Sequence, residues 1–231
     1  MKRSDALVIV PAYNESESIE SVVGTLEALP YDYIVINDGS TDSTAQKLDA
    51  MGAAHIGLCR NLGGAVQTGY EYALAGGWSV AVQFDGDGQH DAECIGRLIE
   101  PVLAGEADLT VGSRFVESEN EFLSSRSRRA GIRILSSLIK LMTGTRIRDV
   151  TSGFRAANRD VIRKFVDYYP ADYPEPESLA GLLAAGMRVR EVGVIMHERQ
   201  GGTSSIGGMS AAYYMIKVGL SILLVRPYGK K

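Results

Sequence analysis

The sequence predicts an α/β protein built on a mostly parallel central sheet with helices on both faces. Two observations carry this. Short, often β-branched apolar runs alternate with amphipathic segments through the first half of the chain. The polar clusters Asn14-Glu15, Asn37-Asp38-Gly39 and Asp85-Gly86-Asp87 each follow directly on such a run, where open α/β sheets place their ligands.

Taken in order, Ala6–Val10 reads as the first strand, closed by Pro11, and Ser16–Leu29 as the helix after it. Tyr33–Ile36 is the second strand. Ser43–Met51 follows as a helix, with Ser40 or Asp42 suited to cap its start. His55–Leu58 and the helix Gly64–Ala75 form the third pair, joined by Arg60-Asn-Leu-Gly-Gly64, whose glycines permit close backbone approach at a helix start. Val80–Phe84, a helix over Ala92–Leu103 and Leu109–Val111 complete the alternation.

Residues 116–128 then read as a polar, Ser-rich loop, Arg129–Met142 as a helix and Asp149-Val-Thr-Ser-Gly-Phe-Arg155 as a turn. Arg190–Met196 returns to the sheet as a strand. With no repeat or low-complexity linker, the reading is one domain over residues 1–205, followed by a C-terminal apolar helix within 206–231. The apolar stretch around Lys217 is marginal as a membrane span. Tyr213, Tyr214 and Tyr228 with Arg226, Lys230 and Lys231 resemble interfacial anchors, while docking on the chain's own core or at a subunit interface is the plain alternative.

The composition is that of an ordinary globular protein, 45% hydrophobic and 23% charged. Its net charge of −4 argues against nucleic acid as a partner. The average conceals seven basic residues and no acidic one between Arg126 and Arg148, a patch that fits a specific anionic partner or a solvated helix face. Two cysteines, Cys59 and Cys94, give neither a disulfide framework nor a metal-ligand spacing, which fits a reducing compartment. The first apolar run is too short for a signal-peptide core, so the sequence reads as cytoplasmic.

The sharpest chemical signal is Asp85-Gly-Asp-Gly-Gln89. Two carboxylates one residue apart, leaving a buried strand, gather hard oxygen ligands at one point, and Gln89 can add a neutral oxygen. Mg²⁺ or Mn²⁺ favours such ligands and completes its shell with water and phosphate oxygens. A diphosphate leaving group needs that charge neutralised as its bond to a sugar breaks. Asp38, after the second strand, suits a ribose hydroxyl or a base edge, and Tyr13 can flank a base. A glycine–aspartate turn after a strand is common, and it is the combination that is specific. His90 fits lining the site or a structural hydrogen bond, His197 contact with phosphate, and His55 a structural place. No spacing supports a nucleophilic triad.

Together these motifs resemble the family 2 glycosyltransferases of the GT-A fold, in the branch of dolichyl-phosphate mannose synthases and bacterial polyprenyl-phosphate glycosyltransferases; the likeness covers residues 6 to about 205. The resemblance implies that Pro11, Tyr13, Glu15 and Asp38 hold the nucleotide, with Gly63 and Arg199 also on the donor. It implies that Asp85, Asp87 and Gln89 surround a Mg²⁺ or Mn²⁺ cofactor, Asp87 being catalytic. Many relatives carry two acidic residues where this chain has Asn37-Asp38. Arg114 of Gly112-Ser-Arg114 would face the reacting phosphates, and Arg128 or Arg129 the acceptor phosphate. Residues 149–155 match a motif near the acceptor, and residues 199–205 a segment that closes over the donor diphosphate.

The partners implied are a nucleotide-sugar donor (UDP- or GDP-linked), a lipid-linked phosphate acceptor and the cytoplasmic face of a membrane, with a small membrane protein and a second copy of the chain as further candidates. The expected reaction is an inverting transfer to a polyprenyl or dolichyl phosphate. Two alternatives are transfer to a hydroxyl of a growing polysaccharide, with Asp149 or another carboxylate as base, and a non-catalytic nucleotide-sugar-binding subunit. The intact Asp85/Asp87 pair speaks against the last.

Overall fold

Along β1 (Ala6–Ala12), Leu7 and Ile9 are buried in one layer, and Ala6, Val8 and Val10 in the other. A strand covered on both faces belongs in the middle of a sheet. The structure, a computed structural model, describes residues 4–59, 64–116, 126–170, 172, 174–197 and 209–229. The remaining strands are β2 (Asp32–Asn37), β3 (His55–Gly57), β4 (Val80–Gln83), β5 (Leu109–Ser113), β6 (Arg155–Asn158) and β7 (Val189–Gly193). They form one seven-stranded sheet in the order β3-β2-β1-β4-β6-β5-β7. All pairs are parallel except those of β6, which runs against both β4 and β5.

The predicted α/β class with a mostly parallel sheet is the class observed. The helices are α1 (Ile19–Glu27), α2 (Thr44–Met51), α3 (Gly64–Gly76), α4 (Ile95–Leu103), α5 (Arg126–Thr143), α6 (Arg159–Asp167), α7 (Pro174–Ala184) and α8 (Met209–Leu223). Helices α1, α2 and α4 bury their apolar faces against Val8 and Val10. Helices α3, α5, α6, α7 and α8 cover the opposite face against Leu7 and Ile9.

Several boundaries differ from the sequence expectation, for identifiable reasons. Helix α1 starts at Ile19 rather than Ser16, because the Ser16 amide donates to Asp42 Oδ2 (3.2 Å) and the Ser18 hydroxyl to the Gly86 carbonyl (2.7 Å). Residues 92–94 form a 3₁₀ turn before α4. Strand β7 ends at Gly193, and the chain then leaves the sheet to bridge His90 through Met196. Strand β6 and helices α6 and α7 are elements that sequence reasoning did not delimit.

The apolar C-terminal segment forms a helix of 15 residues, and among the described residues no helix is long and apolar enough to cross a membrane. Val218 and Ile222 of α8 enter the core beside α5 and α7. Lys217 Nζ donates to Asp172 Oδ2 at 2.7 Å, which fixes the central lysine to the protein. Tyr213, Ile216, Leu220, Leu223 and the following Leu224 remain exposed at helical spacing, as do Ile134, Leu141 and Met142 of α5.

Candidate active site

Parallel strands β1, β2, β4 and β5 point their carboxyl ends to one edge of the sheet. The antiparallel β6 starts at that same edge, so the residues before it arrive there too. This topology gathers segments 13–15, 38–44, 85–90, 112–114 and 149–155.

The first two segments are stitched together. Asn14 takes a left-handed conformation (φ 55°), which asparagine tolerates, and its Oδ1 accepts from the Thr41 amide at 2.8 Å. The Asn14 and Glu15 amides donate to Ser40 Oγ and Thr44 Oγ1, each at 3.0 Å. The N-cap of α2 is Ser43, whose side chain makes no capping bond, rather than Ser40 or Asp42; Asp42, one residue earlier, accepts from the Thr44 amide at 2.9 Å. Burial raises the Asp42 pKa, but hydrogen bonds from Thr44 and Ser16 more than offset this and hold it below its ordinary value. The Asp38 amide donates to the Ala12 carbonyl at 2.9 Å, and the Asp38 side chain is 9% exposed. Asn37 uses its Oδ1 to accept from the Ser40 amide (3.1 Å), so its amide shapes the turn. Pro11, Tyr13 and Glu15 are half-buried on the same rim.

The aspartate turn is fastened from below. A Cβ on Gly86 would come within 3.2 Å of the Pro11 carbonyl, so the turn lies tightly on the end of β1. Gly88 has φ 74°, and the Gln89 amide donates to Asp87 Oδ1 at 3.0 Å. Asp85, Asp87 and Gln89 are all half-buried, open enough for a ligand.

His90 is buried; its ring stacks on Phe154 (4.7 Å, 13°), and its Nδ1 accepts from the Asp85 amide at 3.1 Å. Burial, the largest influence, pushes its pKa down to about 4, against the upward pull of Asp87. It is therefore a neutral ring, and with Nδ1 accepting, the proton sits on Nε2, 3.6 Å from Asp85 Oδ2. Its place is structural. The His197 amide donates to the Gln89 carbonyl (2.8 Å), and its Nε2 lies 3.5 Å from Asp91 Oδ2, which sets it beside the aspartate turn.

Arg114 and Asp149 form a bidentate pair: Nε to Oδ2 and Nη2 to Oδ1, both at 2.7 Å, with Nη2 also 3.2 Å from Thr151 Oγ1. Asp149 is fully buried and Arg114 9% exposed. Burial alone would lower the arginine's pKa, but Asp149 and, at longer range, Asp85 hold it above its ordinary value. Asp149 has both oxygens on a guanidinium, so the geometry makes it an orienting partner and a poor proton acceptor.

Gly153 brings the 149–155 segment against Asp85. A Cβ there would lie 3.2 Å from both Asp85 carboxylate oxygens and 3.0 Å from Gln83 Nε2. Two aspartates and an amide oxygen fit a hard divalent cation that keeps its other positions for phosphate and water. Among the described residues no group of three or more His, Cys, Asp or Glu side chains gathers to hold a metal ion.

Arg128 and Arg129 sit in the first turn of α5, the former exposed and the latter half-buried, with no acidic residue in that turn. Gly63 and Arg199 lie outside the described residues. Sequence reasoning missed Ser18 and took Gly153 only as part of the motif over residues 149–155. Ser18 carries no local motif, whereas the Ser-Gly-Phe-Arg spacing before a short strand was a signal for Gly153.

The chain matches the family model described as glycosyl transferase family 2 over residues 7–166. It is similar to the polyprenol monophosphomannose synthase of Mycolicibacterium smegmatis, 32% identical over 92% of this chain and 84% of that protein. It is also similar to the undecaprenyl-phosphate mannosyltransferase of Micrococcus luteus, 32% identical over 87% of each. A third relative, the UDP-N-acetylglucosamine–dolichyl-phosphate N-acetylglucosaminyltransferase of Methanococcus voltae, is 30% identical over 77% of this chain and 78% of its own length. Among solved structures, glucosyl-3-phosphoglycerate synthase from Mycobacterium tuberculosis, in complex with Mn²⁺, UDP-glucose and phosphoglyceric acid, superposes with a TM-score of 0.69. That match is 23% identical and covers 97% of this chain and 81% of the other, a likeness of fold.

Proposed function

Because the chain belongs to glycosyl transferase family 2, we propose that it transfers a sugar from a UDP- or GDP-sugar to the phosphate of a polyprenyl or dolichyl lipid, with inversion at the anomeric carbon. The observation that carries this reading is the Arg114–Asp149 pair beside the Asp85–Asp87 turn: a rigid guanidinium at the reacting edge, with the paired carboxylate fully committed. A lipid phosphate oxygen attacks the anomeric carbon, and the bond from that carbon to the nucleoside diphosphate breaks. A phosphate monoester, with its second pKa of about 6, is already ionised and needs no base, only positioning.

Asp85, Asp87 and Gln89 would hold Mg²⁺ or Mn²⁺, which supplies charge neutralisation for the departing diphosphate. Tyr13, Glu15 and Asp38 on the stitched rim, with Pro11 beneath them, serve the nucleotide; Gly63 and Arg199 belong to the same donor reading. Arginines in the opening turn of α5 run against the helix dipole, an arrangement that an anion would relieve and helix stability alone would not favour. Arg128 and Arg129 are assigned on that ground to the acceptor phosphate. The exposed apolar stripes of α5 and α8 fit a peripheral position on a membrane surface, where such an acceptor resides.

A second reading, transfer to a hydroxyl, is favoured by Glu175, a carboxylate within electrostatic reach of Asp85 whose pKa is raised chiefly by burial. Incubating the protein with Mn²⁺, UDP- and GDP-sugars and either a polyprenyl phosphate or an oligosaccharide separates the two. Sugar appearing on the lipid phosphate is the expected product. Sugar on the oligosaccharide alone overturns the lipid-phosphate assignment, and no product from any donor overturns both.

A further inference from the structure

Ser18 stands at the N-cap position of α1, with 0% exposure. A serine there ordinarily turns its oxygen onto an amide of the first helical turn. This one makes no capping bond. Its hydroxyl has one proton to donate. The shortest of its contacts, 2.7 Å, is to the Gly86 carbonyl, 68 residues away. The Glu15 carbonyl and Glu15 Oε2 both lie farther off, at 3.3 Å. A side chain well suited to closing a helix end serves the aspartate turn instead.

The construction of that turn explains the arrangement. Gly86 is buried, and its carbonyl belongs to the peptide plane that leads into Asp87. A buried carbonyl requires a donor. Asp87 is flanked by Gly86 and Gly88, the latter at φ 74°, so its neighbours lack the Cβ that would restrict the backbone on either side. Other points of the turn are fastened separately: the Asp85 amide donates to His90 Nδ1 (3.1 Å), and the Gln89 amide to Asp87 Oδ1 (3.0 Å). Neither bond sets the plane between residues 86 and 87. The Ser18 hydroxyl does. Ser18 in turn takes its place from the donor rim, because the Ser18 and Ile19 amides both donate to the Glu15 carbonyl, at 3.1 and 2.9 Å.

We propose that Ser18 is a positioning residue of the metal site: its bond to the Gly86 carbonyl holds the peptide plane that aims Asp87, and ties that plane to the Glu15 segment of the nucleotide rim. The inference rests on the reading of Asp85 and Asp87 as metal ligands. Being fully buried, Ser18 acts through the turn and touches neither metal nor donor.

The test is binding, measured without turnover. Isothermal titration of Mn²⁺ into the protein saturated with UDP or GDP gives a Kd for wild type, Ser18→Ala and Ser18→Cys. Titration of the nucleotide in EDTA gives a metal-free Kd for each, and Tm is recorded. Ser18→Ala removes the donor and, since no side-chain cap is lost with it, leaves α1 its own hydrogen bonds. It should weaken Mn²⁺ about tenfold, the scale of one hydrogen bond, and change the metal-free nucleotide Kd by less than about twofold. The thiol of Ser18→Cys donates only weakly, so its Mn²⁺ affinity should fall between the other two. A purely structural serine would lower Tm in the variants and leave the Mn²⁺ Kd at its wild-type value, and that result overturns the proposal. So does an equal loss of Mn²⁺ and metal-free nucleotide affinity, the mark of a general loosening of the edge. Should Ser18→Ala fail to fold, Ser18→Cys decides, and wild-type Mn²⁺ affinity there overturns the proposal too. If wild type binds nucleotide but no Mn²⁺, the metal reading of Asp85 and Asp87 fails first and the role of Ser18 falls with it.

Discussion

Single side chains at the carboxyl edge have separable tasks, and substitutions should separate them. Asp87→Asn swaps a hard anionic oxygen for a neutral amide while the Asp87 Oδ1 turn bond from Gln89 can persist. It should fold normally and lose turnover by about two orders of magnitude or more, checked by initial rates against Mn²⁺ concentration. Asp149→Asn leaves the Arg114 guanidinium buried without its carboxylate and should cost about 3–5 kcal/mol in urea unfolding. A fall in kcat with stability unchanged would overturn this reading of the pair and make Asp149 a proton acceptor. Asp38, Asp85 and Asp87 were legible in the sequence because each sits just past an apolar run, a signal confined to a few neighbouring residues. The Arg114–Asp149 pair spans 35 residues and was not, since no local pattern says which carboxylate a given arginine will meet. The same holds for Ser18, whose partner Gly86 lies 68 residues away.

Among elements, strands β1 to β5 and helices α1 to α5 could be read from periodicity, within a few residues at their ends. Strand β6 could not: Arg-Ala-Ala-Asn has no alternation, and its direction is decided by β4 and β5 on either side of it. Helix α8 has two faces with different expected behaviour. Ile222→Ala, in the core, should destabilise by about 2–5 kcal/mol. Replacing exposed Ile216, Leu220, Leu223 and Leu224 with serine should leave Tm and nucleotide binding near wild type and reduce sedimentation with anionic liposomes several-fold. Equal vesicle binding by both proteins would remove this face from the membrane reading.

At the other end of the sheet Asp108 clamps three strands, accepting from the Arg188 amide (2.8 Å), Arg188 Nη2 (2.8 Å) and Asn158 Nδ2 (3.0 Å). The Arg188 hydrogen bonds chiefly hold its pKa below the ordinary carboxylate value. A depressed carboxyl stabilises the fold at neutral pH and loses that contribution as pH falls from its unfolded pKa through its folded one. Asp108→Asn should therefore lower Tm by about 2–4 °C at pH 7, with the gap to wild type closing in acid.

For the molecule as a whole, the strand order has a consequence in time. Strands β1 to β4 make up a contiguous parallel block from the first 83 residues. Strand β5 comes next in the chain but touches this block through β6 alone, which is made some forty residues later. During synthesis at roughly 5–20 residues per second, β5 must wait for β6 before it has a neighbouring strand to pair with. The nucleotide half of the edge can thus form early, while the half bearing Arg114 and Asp149 closes late. Pulse-labelled hydrogen exchange during refolding should find the β1, β2 and β4 amides protected before those of β5 and β7. Simultaneous protection would mean that the sheet condenses in a single step. In the ordered case the nascent chain carries an unpaired β5 for seconds, a strand whose five residues are all buried in the finished protein. That interval is when the chain is most exposed to aggregation, and a holding chaperone would have most effect between the emergence of β5 and that of β6.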